Sequence, residues 1–327
     1  MARIFFRGLP YFLSCLILLV SIPGVSHAAT VLKLAHAEST TGTFHAGAVK
    51  FKEEVERLTN GSVEVRIFPS NQLGSLREIL EGIQMGNVDF AITTSSFVAT
   101  FCPDVYVFDL PFLMDDYEHA YRAMDGSVGE HLNAELEKVG IVSLGWFQNG
   151  FRNITSNKDI DSVETLKGNR IRIMPSNIFR DMFLALDVDP VPMNWEELFT
   201  AMQQGTVDGQ ENPYAVIEDT RFYEVQKYLV ESEHVFSPAL LSISPVAAAK
   251  LSGEQMAAVR EAGKTATAAQ RKVAMDRIES AKKALVETHG MQFRTLDKNV
   301  LREKVKSVYA KYPEYAKLVE MVQSYRK

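Results

Sequence analysis

The stretch EILEGIQMGNVDF, which begins at Glu78, is written a second time as ELFTAMQQGTVDG from Glu197. Alignment pairs Gly86 with Gly205, Val88 with Val207 and Asp89 with Asp208. In each copy a run with helical apolar spacing ends at a glycine, and a valine then opens a strand-like segment. A residue without a Cβ readily takes the left-handed conformation that ends a helix, so the shared phrase reads as architecture. A chain that builds the same helix-to-strand corner twice builds two similar units.

The flanking segments agree. VLKLAH (31–36), SVEVRIF (62–68) and VDFAIT (88–93) have strand character, and between them HAGAVKFKEEVERLT and SLREILEGIQM place apolar residues three or four apart. The second half repeats the order with RIRIM (170–174), SNIFRDMFLAL, VDPVPM, WEELFTAMQQ and VDGQE. Strands alternating with helices predict parallel pairing and two α/β lobes. Beyond Leu251 the composition shifts to Ala, Lys and Glu. From the capping-box pair Ser252 and Gln255 to Gly290, the pattern predicts one long helix or two nearly continuous ones. At 1.5 Å per residue it spans about 50 Å, more than one lobe, and is expected to brace both. GMQFRTLD reads as a short strand and the remaining C-terminal residues as helical.

At the other end, Arg3 and Arg7 precede the apolar run LPYFLSCLILLVSIPGV, and SHA follows it. This is the pattern of a secretory signal peptide over residues 1–28, cut after Ala28. Pro23 and Gly24 interrupt the run, which favours cleavage over a retained anchor, the main rival reading. Cys15 lies inside the run and not after it, against a lipoprotein site. Only Cys102 then remains, so no intramolecular disulfide forms despite the oxidising compartment that export implies. The full chain has a formal charge of -6 and loses two arginines with the signal. Such an acidic chain lacks the concentrated basic surface that nucleic acid requires.

Ligands of open parallel sheets bind beyond the carboxyl ends of the strands. The segments placed there are HAESTTGTFH, TTSSF, MPSN and QENPY. Arg172 alternates with Ile171 and Ile173, so its guanidinium faces one side, where it can grip a carboxylate through two parallel hydrogen bonds or serve an internal salt bridge. Arg152, in NGFRNITSN, is a second candidate. Asn212 offers a donor and an acceptor, although an Asn before a proline also serves as a turn residue. Trp195 is a ligand platform or a core plug. His36 and His45 flank one loop as polar liners; neither has the spacing of a metal site, and no cofactor is expected. There is no G-x-S-x-G elbow, P-loop, dinucleotide fingerprint or H-E-x-x-H motif, so the chain is not expected to be an enzyme. A spatial convergence of Glu38, Asp208 and Glu211 is the catalytic arrangement that spacing leaves open.

Three segments carry a family resemblance: FPSNQLGSLREILEGIQMGNVDFAI, LKGNRIRIMPSN and MQQGTVDGQENPY. In order and spacing they resemble the signatures of the solute-binding proteins of tripartite ATP-independent periplasmic (TRAP) transporters, the DctP family, over essentially the whole mature chain. The resemblance implies an α/β, two-lobed periplasmic binding protein fold of type II-like form, with the long C-terminal helix bracing both lobes. The expected division is residues 29–149 with about 238–277 in one lobe and 150–237 with about 278–327 in the other. The resemblance also implies that Arg172 binds a carboxylate, that Arg152 is a second, more variable cleft arginine, and that Asn212 supports the bound acid. Trp195 matches a position that is often aromatic, and Gln72, Ser95 and Tyr214 lie in segments that line the family's pocket. The sialic-acid members differ at TTSSF and Trp195, which argues against sialate.

The implied function is periplasmic capture of a small organic acid by a monomer that delivers it to small and large membrane subunits driven by an ion gradient. A module serving a membrane sensor, or an exported enzyme on the same fold, is the alternative. Two arginines suit a dicarboxylate. Trp195, with Glu38 and His45 for hydroxyls, suits a sugar acid such as a uronate, and an aromatic acid also fits.

Overall fold

The computed structural model describes residues 1–2 and 29–327. The expected signal peptide, Cys15 included, lies outside the described residues but for its first two.

In chain order the strands are β1 (Thr30–His36), β2 (Val63–Phe68), β3 (Phe90–Thr94), β4 (Val142–Phe151), β5 (Asn153–Ser156) and β6 (Arg170–Ile173). They continue with β7 (Asp189–Pro192), β8 (Gly209–Asn212), β9 (Tyr228–Glu231), β10 (Phe236–Ile243) and β11 (Gln292–Thr295). They form two sheets, β2-β1-β3-β10-β4 and β11-β9-β5-β8-β6-β7, one in each of two lobes. The strands of the duplicated unit pair in parallel as expected, β1 with β2 and β3, β6 with β7 and β8.

The pairing is not parallel throughout. β10 runs antiparallel to β3 and β4, and β5 antiparallel to β8 and β9. These strands carry the chain from one sheet to the other. Only Arg152 separates β4 from β5, and residues 232–235 separate β9 from β10. The two crossings are tied together where the Arg152 amide donates to the Val235 carbonyl at 2.9 Å.

The repeated corner has the same anatomy in both lobes. Gly86 (φ 77°) and Gly205 (φ 68°) are left-handed. The strands start two residues later than expected, at Phe90 and Gly209, because the intervening aspartates serve a neighbouring strand. Asp89 Oδ2 accepts from the Lys33 amide at 2.8 Å, and Asp208 Oδ2 accepts from the Arg170 amide at 2.9 Å. Lys250 and Lys158 then balance the two carboxylates.

The long helix, Gly253–Lys283, opens on the expected capping box of Ser252 and Gln255 and runs into a π-helical turn, Ala284–Thr288. Its 31 residues extend about 46 Å. Early residues Val259, Ala262 and Ala266 enter the core of the first lobe with Phe44 and Phe51. Ala281, near its end, and Leu285 of the π-helical turn enter the core of the second with Leu198 and Leu229. The helix therefore braces both lobes. The chain end also returns to the first lobe: Ala316–Gln323 packs on the helix Ser127–Lys138, and Arg122 donates twice to the Tyr325 carbonyl. Among the described residues no helix is long and apolar enough to cross a membrane.

Candidate functional site

A cavity lies between the lobes. The first lobe contributes Ala37, Glu38, Phe44, Leu76, Thr94 and Phe97, with Asn149 where β4 leaves its sheet. The second-lobe wall includes Arg152, Arg172, Met174, Trp195 and Asn212. Of the expected site residues, Arg152, Arg172, Asn212, Trp195 and Glu38 thus meet in one space.

Arg172 sits in β6, between Val191 of β7 and Gln210 of β8, and is buried. Its Nε and Nη2 donate to the Met193 carbonyl at 3.0 and 2.8 Å. No carboxylate pairs with it within salt-bridge distance among the described residues. Burial lowers its pKa to about 10, so the guanidinium is still charged at neutral pH.

Arg152, at the crossing between sheets, is equally buried but paired. Its Nε bonds to Glu211 Oε2, and its Nη2 donates to Glu211 Oε1 (2.9 Å), to the Glu211 carbonyl (2.6 Å) and to Asn212 Oδ1 (3.0 Å). Burial pushes the Glu211 carboxyl up, but the Arg152 charge and a hydrogen bond from His234 outweigh it and hold the group below the ordinary range. Asn212 is held in turn, donating to Gln210 Oε1 at 2.6 Å.

Four polar atoms on cavity-lining residues are buried and have no partner among the described residues: Nη1 of Arg152, Nη1 of Arg172, Asn149 Oδ1 and Thr94 Oγ1. Buried polar groups are rarely left unpaired, so these four atoms are open to a ligand or to water. Two are cationic donors, one is an acceptor and one is a hydroxyl. Apolar side chains of Phe44, Leu76, Phe97 and Met174 surround them. Neither Asn149 nor Thr94 was singled out by the sequence, although both lie inside segments that were.

The other expected residues stand apart from the cavity lining. The Tyr214 hydroxyl donates to Glu231 Oε2 at 2.6 Å, and the ring lines a smaller void behind the crossing strands. Ser95 is buried beside Thr94, and Gln72 is exposed. His45 pairs with His36 at 3.1 Å. Trp195 does line the cavity, with its ring tilted against Phe222 at 5.7 Å.

Glu38, Asp208 and Glu211 do not converge. Glu211 is committed to Arg152, Asp208 to Arg170 and Lys158, and Glu38 to the Phe44 amide. Among the described residues one group with metal-ligating side chains gathers, Asp104, His131 and Glu135. Its members belong to the turn Pro103–Asp109 and the helix Ser127–Lys138, outside the cavity lining.

The comparisons with known proteins agree with this architecture. Residues 34–315 match the profile of the DctP family, described as bacterial extracellular solute-binding protein, family 7. The 2,3-diketo-L-gulonate-binding periplasmic protein YiaO of Escherichia coli is 32% identical over 303 residues, which is 91% of this chain and 92% of that protein. A TRAP periplasmic solute-binding protein from Polaromonas sp. JS666, solved with D-erythronate, is 36% identical with a TM-score of 0.87. The alignment covers 90% of this chain and 98% of that one. Another, from Roseobacter denitrificans OCh 114 with bound L-galactonate, is 33% identical with a TM-score of 0.85, covering 90% and 99%. With its duplicated α/β lobes, crossing strands, bracing helix and buried arginines, the chain belongs to the DctP family of bacterial extracellular solute-binding proteins, the solute receptors of TRAP transporters.

Proposed function

We propose that this protein captures a hydroxylated organic acid of the sugar-acid class in the periplasm, after removal of its signal peptide, and passes it unaltered to the membrane subunits of a TRAP transporter. One observation carries the reading: two buried arginines line a single cavity, and each has an Nη1 with no partner among the described residues. Arg172 supplies the uncompensated charge for a carboxylate, and Arg152, held by Glu211 and Asn212, supplies a second oriented donor. Hydroxyls of the ligand meet Asn149 Oδ1 and Thr94 Oγ1. The erythronate, galactonate and diketogulonate of the relatives have this chemistry, a carboxylate joined to several oxygens.

Closure follows from the wall composition. The second lobe holds the cations and docks the anion; the first lobe adds its polar atoms only when it swings in. The ligand therefore binds the closed state better than the open one and shifts the population by that difference. In this reading the moving bodies are residues 29–149 with about 238–277 and residues 150–237 with about 278–315, while the last helix, Ala316–Gln323, travels with the first lobe on which it packs. The protein works as a monomer, without cofactor or catalysis.

A thermal-shift screen with aldonates, uronates, C4-dicarboxylates and aromatic acids tests the reading, because a ligand selective for the native state raises its melting temperature by mass action. Stabilisation confined to sugar acids is expected. A shift with aromatic acids alone contradicts the assignment.

A further inference from the structure

We propose that Glu38 restricts the site to acids with a single carboxylate, by receiving a ligand hydroxyl where a second carboxylate would otherwise lie. The inference rests on the reading that the two arginines anchor one carboxylate.

Both cations of the cavity stand on the second-lobe wall, and Glu211 already balances one of them. The first-lobe residues of the lining include no cation, and Glu38 is the only one of them with an ionisable side chain. Glu38 is fixed in place from two sides. Its Oε2 accepts from the Phe44 amide at 2.7 Å. It also lies so close over Gly42 that a Cβ there would stand 2.3 Å from Oε2, so any side chain at position 42 displaces the carboxyl. The second carboxyl oxygen takes no hydrogen bond from the described residues.

The charged groups around Glu38 offer nothing to a further anion. Outside the cavity lining these are Asp219 and Arg277. Arg277 is spent on Glu218, Asp219 and the Thr41 carbonyl. Burial pushes the Glu38 carboxyl up to about 8, moderated by the Phe44 amide. At neutral pH the group is then mostly protonated and both donates and accepts, as a hydroxyl partner should. A second carboxylate in the same place brings a negative charge with no free cation to meet it, and must share the Glu38 proton or take one up.

Paired acids of equal length test this: D-erythronate against meso-tartrate, and D-galactonate against galactarate, titrated calorimetrically into wild type, Glu38→Gln and Thr94→Val. Wild type is expected to prefer the monoacid of a bound pair by at least ~30-fold, the equivalent of a modest uncompensated burial of charge. Glu38→Gln should narrow that preference by about tenfold, because an amide donates to a carboxylate without competing for its proton. Thr94→Val should weaken both acids by the same factor. Equal affinity of wild type for mono- and diacid, or an unchanged preference in Glu38→Gln, overturns the role of Glu38 and leaves the arginine anchor standing. If none of the four acids binds, the sugar-acid reading beneath it falls.

Discussion

The two lobes share a corner but treat the acids near the cleft in opposite ways. In the second lobe Asp208 and Glu211 are held below the ordinary carboxylate range: burial acts against them, and Arg170 with Lys158, or Arg152 with His234, outweighs it. In the first lobe Glu38 and Asp109 are pushed up, to about 8 and about 7, because burial dominates and their hydrogen bonds compensate only in part. Asp109 accepts from Ser96 at 2.6 Å, and its Oδ2 has no partner. The second lobe thus keeps these acids as paired ions, whereas the first lobe raises the carboxyls of Glu38 and Asp109. In the proposed reading, the arginines of the second lobe anchor the anion and Glu38 of the first lobe reads it.

The contrast breaks most severely at Glu211. Glu211→Ala strands the Arg152 charge in a buried site, and losing one partner of such a pair costs about 3 to 5 kcal/mol of stability. Denaturant titration should show that loss, and Glu211→Gln should recover only part of it.

A second expectation concerns pH. Glu38 binds its proton more tightly folded than unfolded, so it withdraws stability as pH rises from the ordinary carboxylate value through about 8. Asp208 and Glu211 have the opposite sign: their contribution is present above the ordinary carboxylate value and is lost as pH falls through their lowered values. Melting curves of Glu38→Gln should therefore flatten the decline between about pH 5 and 8 and leave the acid limb unchanged. A parallel shift of the whole profile would contradict the assignment.

The repeated aspartates provide a comparison across the lobes. Asp89→Asn and Asp208→Asn each weaken a charge-assisted bond to a strand amide, for a loss of about 1 to 2 kcal/mol. The cost should be larger for Asp208, which also binds the Arg170 side chain at 2.8 Å. The smallest effect is expected on the first-lobe wall, where Asn149→Ala or Thr94→Val removes one neutral hydrogen bond and weakens ligand binding by roughly fivefold.

Much of this plan is readable in the chain. The strands β1 to β3 and β6 to β8 are separated by helices with clean apolar spacing, and the glycine-terminated corner recurs with its Gly, Val and Asp unchanged. The crossing strands are not readable in the same way. VSLGWFQNGF in β4 is buried from Ser143 to Phe151 but for Gly145, and FSPALLSI in β10 along its whole length, so neither shows the two-residue alternation that marks a half-buried strand. Arg172 is visible because it interrupts an apolar strand. Its contrast with Arg152 is not, because Glu211, which neutralises Arg152, lies 59 residues away in sequence. Segment position alone does not fix where each side chain points: QENPY delivers Asn212 to the cavity but turns the Tyr214 hydroxyl to Glu231. In TTSSF, Thr94 and Phe97 line the cavity and Ser95 does not.

The claim that Arg172 is the uncompensated charge anchoring the ligand is tested most directly by calorimetric titration of Arg172→Ala beside wild type with a sugar acid found in the screen. Losing a desolvated charge pair costs about 2 to 5 kcal/mol, so affinity should fall roughly 30-fold to several thousandfold. Undiminished affinity in the variant would contradict it.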